Sequence, residues 1–219
     1  ESNGRHILLT ARNELYLHMR FLDVALSSLD FAMDGQVSTT ATDGNVIYYN
    51  TKYLGARYRE DRKKINRAYL HMVLHCLFCH VFSEPKEDEI CWHLACDIAM
   101  ESIIDEMQIR CVKTAVSWLR ENTYKMLRDR LKVLTAEGIY HVLTTEPQGQ
   151  DRLQKLIREF TVDDHRYWNR QQNDPQSRQQ RDRWKDIRDR METDLDSFSK
   201  ESVDAKGNLR YQLRGSGRE

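Results

Sequence analysis

The stretch Leu70-His71-Met72-Val73-Leu74-His75-Cys76-Leu77-Phe78-Cys79-His80 decides how the rest of the chain is read. It is apolar on most sides and follows a charged run from Arg57 to Lys64, so it reads as the buried half of a helix. His71 and His75 are four residues apart, which sends both imidazoles out of one helix face, one turn from each other. Two ring nitrogens so placed can converge on a single tetrahedral metal ion, the device that H-E-x-x-H zinc helices use. Two partly buried core histidines would show the same spacing. A third ligand on another element is therefore what discriminates.

Helix geometry sorts the nearby candidates. His80 comes nine residues after His71, and at about 100° per residue this puts it on the opposite side of a continuous helix. It joins the pair only if the helix ends first. Cys79 shares the face but lies about 12 Å along the axis from His71, too far for one ion to bridge. The next helix, expected over about 88–107, carries Asp97 and Glu101, again four residues apart, among Leu94, Ala95, Ile98, Ala99, Ile103 and Ile104. Carboxylates on an apolar stripe are costly unless paired or metal-bound. Asp97 reads as the third ligand, and Glu101 as the partner of a ligand histidine's second ring nitrogen or as a base. A carboxylate pair bridging to neighbouring helices is the competing explanation. Two imidazoles and a carboxylate suit zinc better than magnesium or calcium, which predicts one zinc per chain. The pairs Cys76/Cys79 and Cys91/Cys96 offer a rival four-cysteine site. They sit mid-helix with no Gly or Pro to form a knuckle, and read better as small apolar residues.

Working outward, the fold expected is mainly α with a small β-hairpin, an α+β class. A first helix spans 7–31 on the stripe Leu8, Leu9, Leu15, Leu22, Leu26 and Leu29. Two β-rich runs, 37–42 and 45–49, are joined by Asp43-Gly44. This is a hairpin signal for a type I′ turn with positive φ at both central residues. Helices follow over 52–81, 88–107 and 112–143. Pro147 and Gly149 mark a boundary, giving a first domain over 1–146 and a charged helical extension over 147–219. The chain has 34 Lys and Arg against 34 Asp and Glu, so no global field recruits nucleic acid or a membrane surface. There is no run of 18 apolar residues and no signal-peptide pattern. Five cysteines, odd in number and set in helical apolar patterns, favour a reducing cytoplasm.

Ala41-Thr-Asp-Gly-Asn-Val-Ile-Tyr-Tyr-Asn50, the helix from His71 to His80, and Trp92-His-Leu-Ala-Cys-Asp97 together resemble a known family. It is the metallopeptidase-like domain that bacteria place ahead of a von Willebrand A-like domain, often encoded beside a MoxR-type AAA+ ATPase. The resemblance covers roughly 7–145, and Val162-Asp-Asp-His165-Arg-Tyr-Trp168 extends it. It implies a zincin-like architecture: a small sheet whose edge strand receives extended peptide, a metal helix, and a second ligand-bearing helix. An acidic ligand some two dozen residues after the second histidine is the gluzincin-type arrangement, and Asp97 stands 22 residues after His75. Two departures matter. Met72 occupies the position where members usually carry glutamate, the group that takes a proton from the attacking water. The von Willebrand half, with its D-x-S-x-S pattern, is absent, so the chain is expected to be an N-terminal portion.

The function expected is therefore a metal-binding domain of peptidase descent, with weak or lost proteolysis and a peptide- or protein-binding role. An active metallohydrolase with Glu101, Asp163 or Asp164 as base is one alternative. A metal-free helical interaction domain is another. Neither His80 nor His165 is expected among the ligands, unless the tail folds back over the site.

Overall fold

The computed structural model of the protein describes residues 2–146, 149–168 and 174–197. Among them are nine helices and one small mixed sheet. The chain opens with α1 (Ser2–His18), a 3-10 turn over Arg20–Leu22 and the short α2 (Asp23–Ser27). Three strands follow: β1 (Asp30–Met33), β2 (Thr40–Thr42) and β3 (Val46–Tyr49). Then come α3 (Thr51–Glu60), α4 (Arg62–Leu77), a 3-10 turn over His80–Phe82, and α5 (Glu89–Met107). The remaining helices are α6 (Trp118–Arg128), α7 (Ala136–Thr145), α8 (Gln150–Phe160) and α9 (Pro175–Ser197). Among the described residues, no helix is long and apolar enough to cross a membrane.

The expected hairpin is present, with β2 antiparallel to β3 and Ala41 opposite Tyr48. Its turn differs from the expected type. Gly44 alone takes positive φ, at 90°, while the Asp43 carboxylate accepts from the backbone N–H groups of Asn45 (2.8 Å) and Val46 (2.9 Å). The side chain thus does locally what a second left-handed residue would have done. A Cβ at position 44 would also strike the Phe82 ring, so glycine is required there for space as well as conformation.

Two helices expected to be continuous are not. The 7–31 helix ends at His18, and Asp30–Met33 instead forms β1, parallel to β3 with Asp30 opposite Val46. No Gly or Pro announces the break; a non-local pairing takes the segment. The 52–81 helix breaks at Asp61, which is extended (φ −162°, ψ 109°) and caps α4 by accepting from Lys63 N–H. The hairpin is also not the free edge for peptide. β3 lies between β1 and β2, and the outer side of β2 is taken by a parallel bridge from Ala41 to Asp164, with Asp164 N–H donating to Thr40 O at 2.7 Å.

The core lies between α1, α4 and α5, and every residue of α4 from Ile65 to Leu77 is buried. The segment expected as a charged extension contributes to the same core through Leu156, Phe160, Trp168, Trp184, Ile187 and Met191. Trp184 is fully buried and its indole N–H donates to Gly44 O at 2.7 Å, fastening α9 to the hairpin turn.

Candidate metal centre

Five side chains from three parts of the chain meet at one point. His71 and His75 project from α4, Asp97 from α5, and Asp163 and His165 from the segment that follows α8. One ligand atom from each lies within 4.8 Å of all the others. His71 Nε2 is 2.7 Å from His75 Nε2, 3.2 Å from Asp97 Oδ1 and 3.4 Å from Asp163 Oδ1. His165 Nε2 is 3.2 Å from both Asp97 Oδ1 and Asp163 Oδ1. His71, His75, Asp97 and Asp163 are buried, and the His165 side chain is only 6 % exposed.

The i, i+4 logic holds on both helices. Asp97 faces the histidine pair, and Glu101, one turn further along α5, reaches the far side of His71, with Oε1 accepting from His71 Nδ1 at 2.8 Å. The other oxygen of Glu101 accepts from Arg67 Nε (2.8 Å), Arg67 Nη2 (2.6 Å) and Arg120 Nη1 (2.5 Å). Both arginines also bind Asp105, which accepts from Tyr124 at 2.7 Å. Burial opposes ionisation of Glu101, but Arg67, His71 and Arg120 outweigh it and hold the carboxyl well below its usual range. A carboxylate so engaged is fixed in place and positions His71.

His80 comes back toward the site because α4 stops at Leu77 and Cys79 adopts a left-handed conformation, φ 58°. Its Nδ1 lies 2.9 Å from His75 Nδ1, so it stands behind a ring of the cluster and outside the converging set. The tail segment, marginal in the sequence, supplies Asp163 and His165. The β2 bridge at Asp164 fixes it, and the Trp168 indole stacks on the His165 ring at 3.6 Å with 14° between the planes. Asp164 itself turns away and binds Arg166 at 2.8 Å. The signal for these residues was the Asp163-Asp164-His165 grouping in an otherwise Arg- and Gln-rich stretch. It has no periodicity to show where it folds. Met72 is fully buried in the core, and it does not line the cleft that reaches the cluster.

The donor set fits a divalent cation. Donation of the Nδ1 proton to Glu101 leaves neutral His71 with its lone pair at Nε2, directed at His75 Nε2 and two carboxylate oxygens. Lone pairs 2.7 Å apart repel unless a proton or a cation lies between them. Protons serve in the absence of an ion. Burial would lower the pKa of His71, but hydrogen bonds to Asp97 and Glu101 raise it to about 9. Burial also opposes protonation of His165, and the charges of Asp97 and Asp163 lift it to about 10. His75, pressed by burial and then by the charge on His71, falls to about 4.

A consequence can be measured. Folded pKa values raised above the ordinary 6.5 stabilise the metal-free protein fully below pH 6.5, and that contribution is lost as pH rises through 9–10. Bound metal requires neutral imidazole, so it takes over where the protons leave. The rise in melting temperature on adding a divalent cation should grow with pH from 6.5 to about 8, below the onset of metal hydroxide formation, in thermal-shift measurements. A rise independent of pH would show that the cation does not replace those protons.

A family model described as "Putative metallopeptidase domain" matches residues 5–212. No curated protein and no solved structure matches the chain.

Proposed function

The chain belongs to that metallopeptidase-domain family, and from this premise we propose that it holds one zinc ion on His71, His75, Asp97, Asp163 and His165 and binds peptide with weak or no cleavage. The observation that carries the reading is the convergence of three imidazoles and two carboxylates, a donor set suited to zinc, with two ring nitrogens 2.7 Å apart. Zinc bound there would polarise a carbonyl and lower the pKa of water.

What supports weak turnover is the protein's own residues. Position 72 carries a thioether packed in the core, and a thioether takes no proton. Glu101 is committed to Arg67, Arg120 and His71, and Asp164 to Arg166. Five donors also exceed the three protein ligands that hydrolytic zinc sites use to keep a position open. Native mass spectrometry of protein purified without a metal-affinity column should show one zinc per chain. A well-folded, zinc-free preparation unchanged by added zinc would overturn the reading.

One observation favours a second reading, an active hydrolase. Asp163 Oδ2 is buried and has no hydrogen-bond partner among the described residues, which leaves it free of the commitments that hold Glu101 and Asp164. The first reading expects casein to survive incubation with the zinc-loaded protein, since a missing general base typically costs about 10²–10⁴-fold. Chelator-sensitive cleavage that disappears in Asp163→Asn with zinc retained would establish the second.

A further inference from the structure

Four aromatic rings enclose the imidazole of His75: His71, His165, His80 and Trp168, with centroids between 4.4 and 5.2 Å away. Its Nε2 faces the cluster, 2.7 Å from His71 Nε2 and 3.3 Å from Asp97 Oδ1. Its Nδ1 lies 2.9 Å from His80 Nδ1, and both residues are buried. Among the described residues, His75 Nδ1 has no other hydrogen-bond partner. His80 arrives there by an uncommon route. On a continuous helix it would sit roughly 140° round the axis from His75. Instead α4 stops at Leu77, and Cys79 takes φ 58°, a left-handed conformation that residues other than Gly, Asn and Asp seldom adopt. Such backbone strain persists where surrounding contacts hold it, and it gathers at functional sites.

We infer that His80 is a positioning residue for the metal: its Nδ1 accepts from His75 Nδ1–H and so keeps the His75 lone pair at Nε2, facing the cluster. The inference rests on the zinc-binding reading above and adds the residue that sets one ligand's tautomer. A neutral imidazole has one N–H and one lone pair. Two N–H groups, or two lone pairs, would repel at 2.9 Å, so one ring donates and the other accepts. If His80 donated, the proton of neutral His75 would sit at Nε2, and that nitrogen could bind no cation. Only the opposite direction leaves His75 a ligand. Glu101 does the same for His71, accepting from its Nδ1 at 2.8 Å. The two acceptors differ in charge. Glu101 is a carboxylate held by Arg67 and Arg120, whereas His80 accepts as a neutral ring with its own proton at Nε2.

Long-range nitrogen–proton correlation NMR of the full, zinc-loaded chain tells a protonated ring nitrogen from one with a lone pair. His75 should carry its proton at Nδ1, and His80 should carry its proton at Nε2 with the lone pair at Nδ1. A proton at His80 Nδ1 would overturn the inference. Two variants test the consequence by competition with a chromophoric chelator. His80→Leu fills the space without an acceptor and should weaken zinc binding about tenfold, the low end of the ~10–100-fold typical of losing an outer partner. His80→Asn packs less well, but its side-chain oxygen can stand near the place of Nδ1 and should recover most of the affinity. A role in packing alone gives the opposite order. Equal affinities for the two variants, or tighter binding by His80→Leu, would overturn the inference. Should either variant fail to fold, the spectra of the unmodified chain decide by themselves. Zinc content from native mass spectrometry separates the two failures. A chain that takes up no zinc removes the underlying reading and this one with it, whereas a zinc-loaded chain with the other tautomer or the other order removes only this one.

Discussion

Asp97→Ala is expected to lower zinc affinity by at least about 100-fold, more than the ~10–100-fold typical of losing an outer hydrogen-bond partner. Asp97 Oδ1 lies within 3.3 Å of a ring nitrogen of His71, His75 and His165, so it is the hub of the donor set. Its removal also leaves three imidazoles facing one another with a single carboxylate between them, and burial keeps water from compensating. Asp163→Ala and His165→Ala should lose metal to a comparable degree. His80→Ala touches only the rear of His75 and should cost far less; Asp164→Ala should leave affinity unchanged. Competition with a chromophoric chelator ranks the five variants. Equal affinities for Asp97→Ala and Asp164→Ala would remove the proposed ligand set. A dominant effect of His80→Ala would instead relocate the ion behind His75.

Arg67→Met is expected to destabilise the protein by about 3–5 kcal/mol, the usual result of stripping one partner from a buried ion network. Arg67 is buried and bridges Glu101 and Asp105, both at 2.6 Å, so its loss leaves the two enclosed carboxylates with one guanidinium, Arg120, beside the bonds from His71 and Tyr124. In a domain of this length the melting midpoint should fall by about 6–20 °C. Arg67→Lys should recover little, because an ammonium cannot present the fork that joins both acids. Arg130→Met removes an ion pair with Glu146 in which both side chains are well exposed, and should leave the midpoint essentially unchanged. Differential scanning calorimetry of the three variants in metal-free buffer measures this. A small loss in Arg67→Met would mean that water enters the network. The same network reaches the metal centre through Glu101 and the tail through Arg120, which donates to Glu159 O at 2.8 Å.

Four residues that meet in the cluster or beside it, His71, His75, Asp97 and Glu101, were legible from their spacing together with their place on apolar helix faces, because a helix converts an interval of four into a shared face without help from the rest of the chain. The hairpin around Gly44 was legible for the same local reason, although Asp43 completes the turn by a side-chain route that the turn signal does not distinguish. Tertiary structure decided what lacks a period. Asp163 and His165 lie in an irregular segment between helices, and long-range contacts bring them to the cluster: the bridge to Ala41, the bonds from Arg166 to Gln36 O and from Tyr167 to Asp34, and the packing of Trp168 against His75. His80 approaches His75 only because Cys79 accepts a left-handed conformation that a cysteine does not advertise. Residues 30–33 continue a helical stripe in sequence and become a strand because β3 offers a parallel partner. Helical faces are set by covalent geometry within a few residues. Strand pairing and the return of a tail depend on contacts more than a dozen residues apart, whose free energy exists only once the core has assembled.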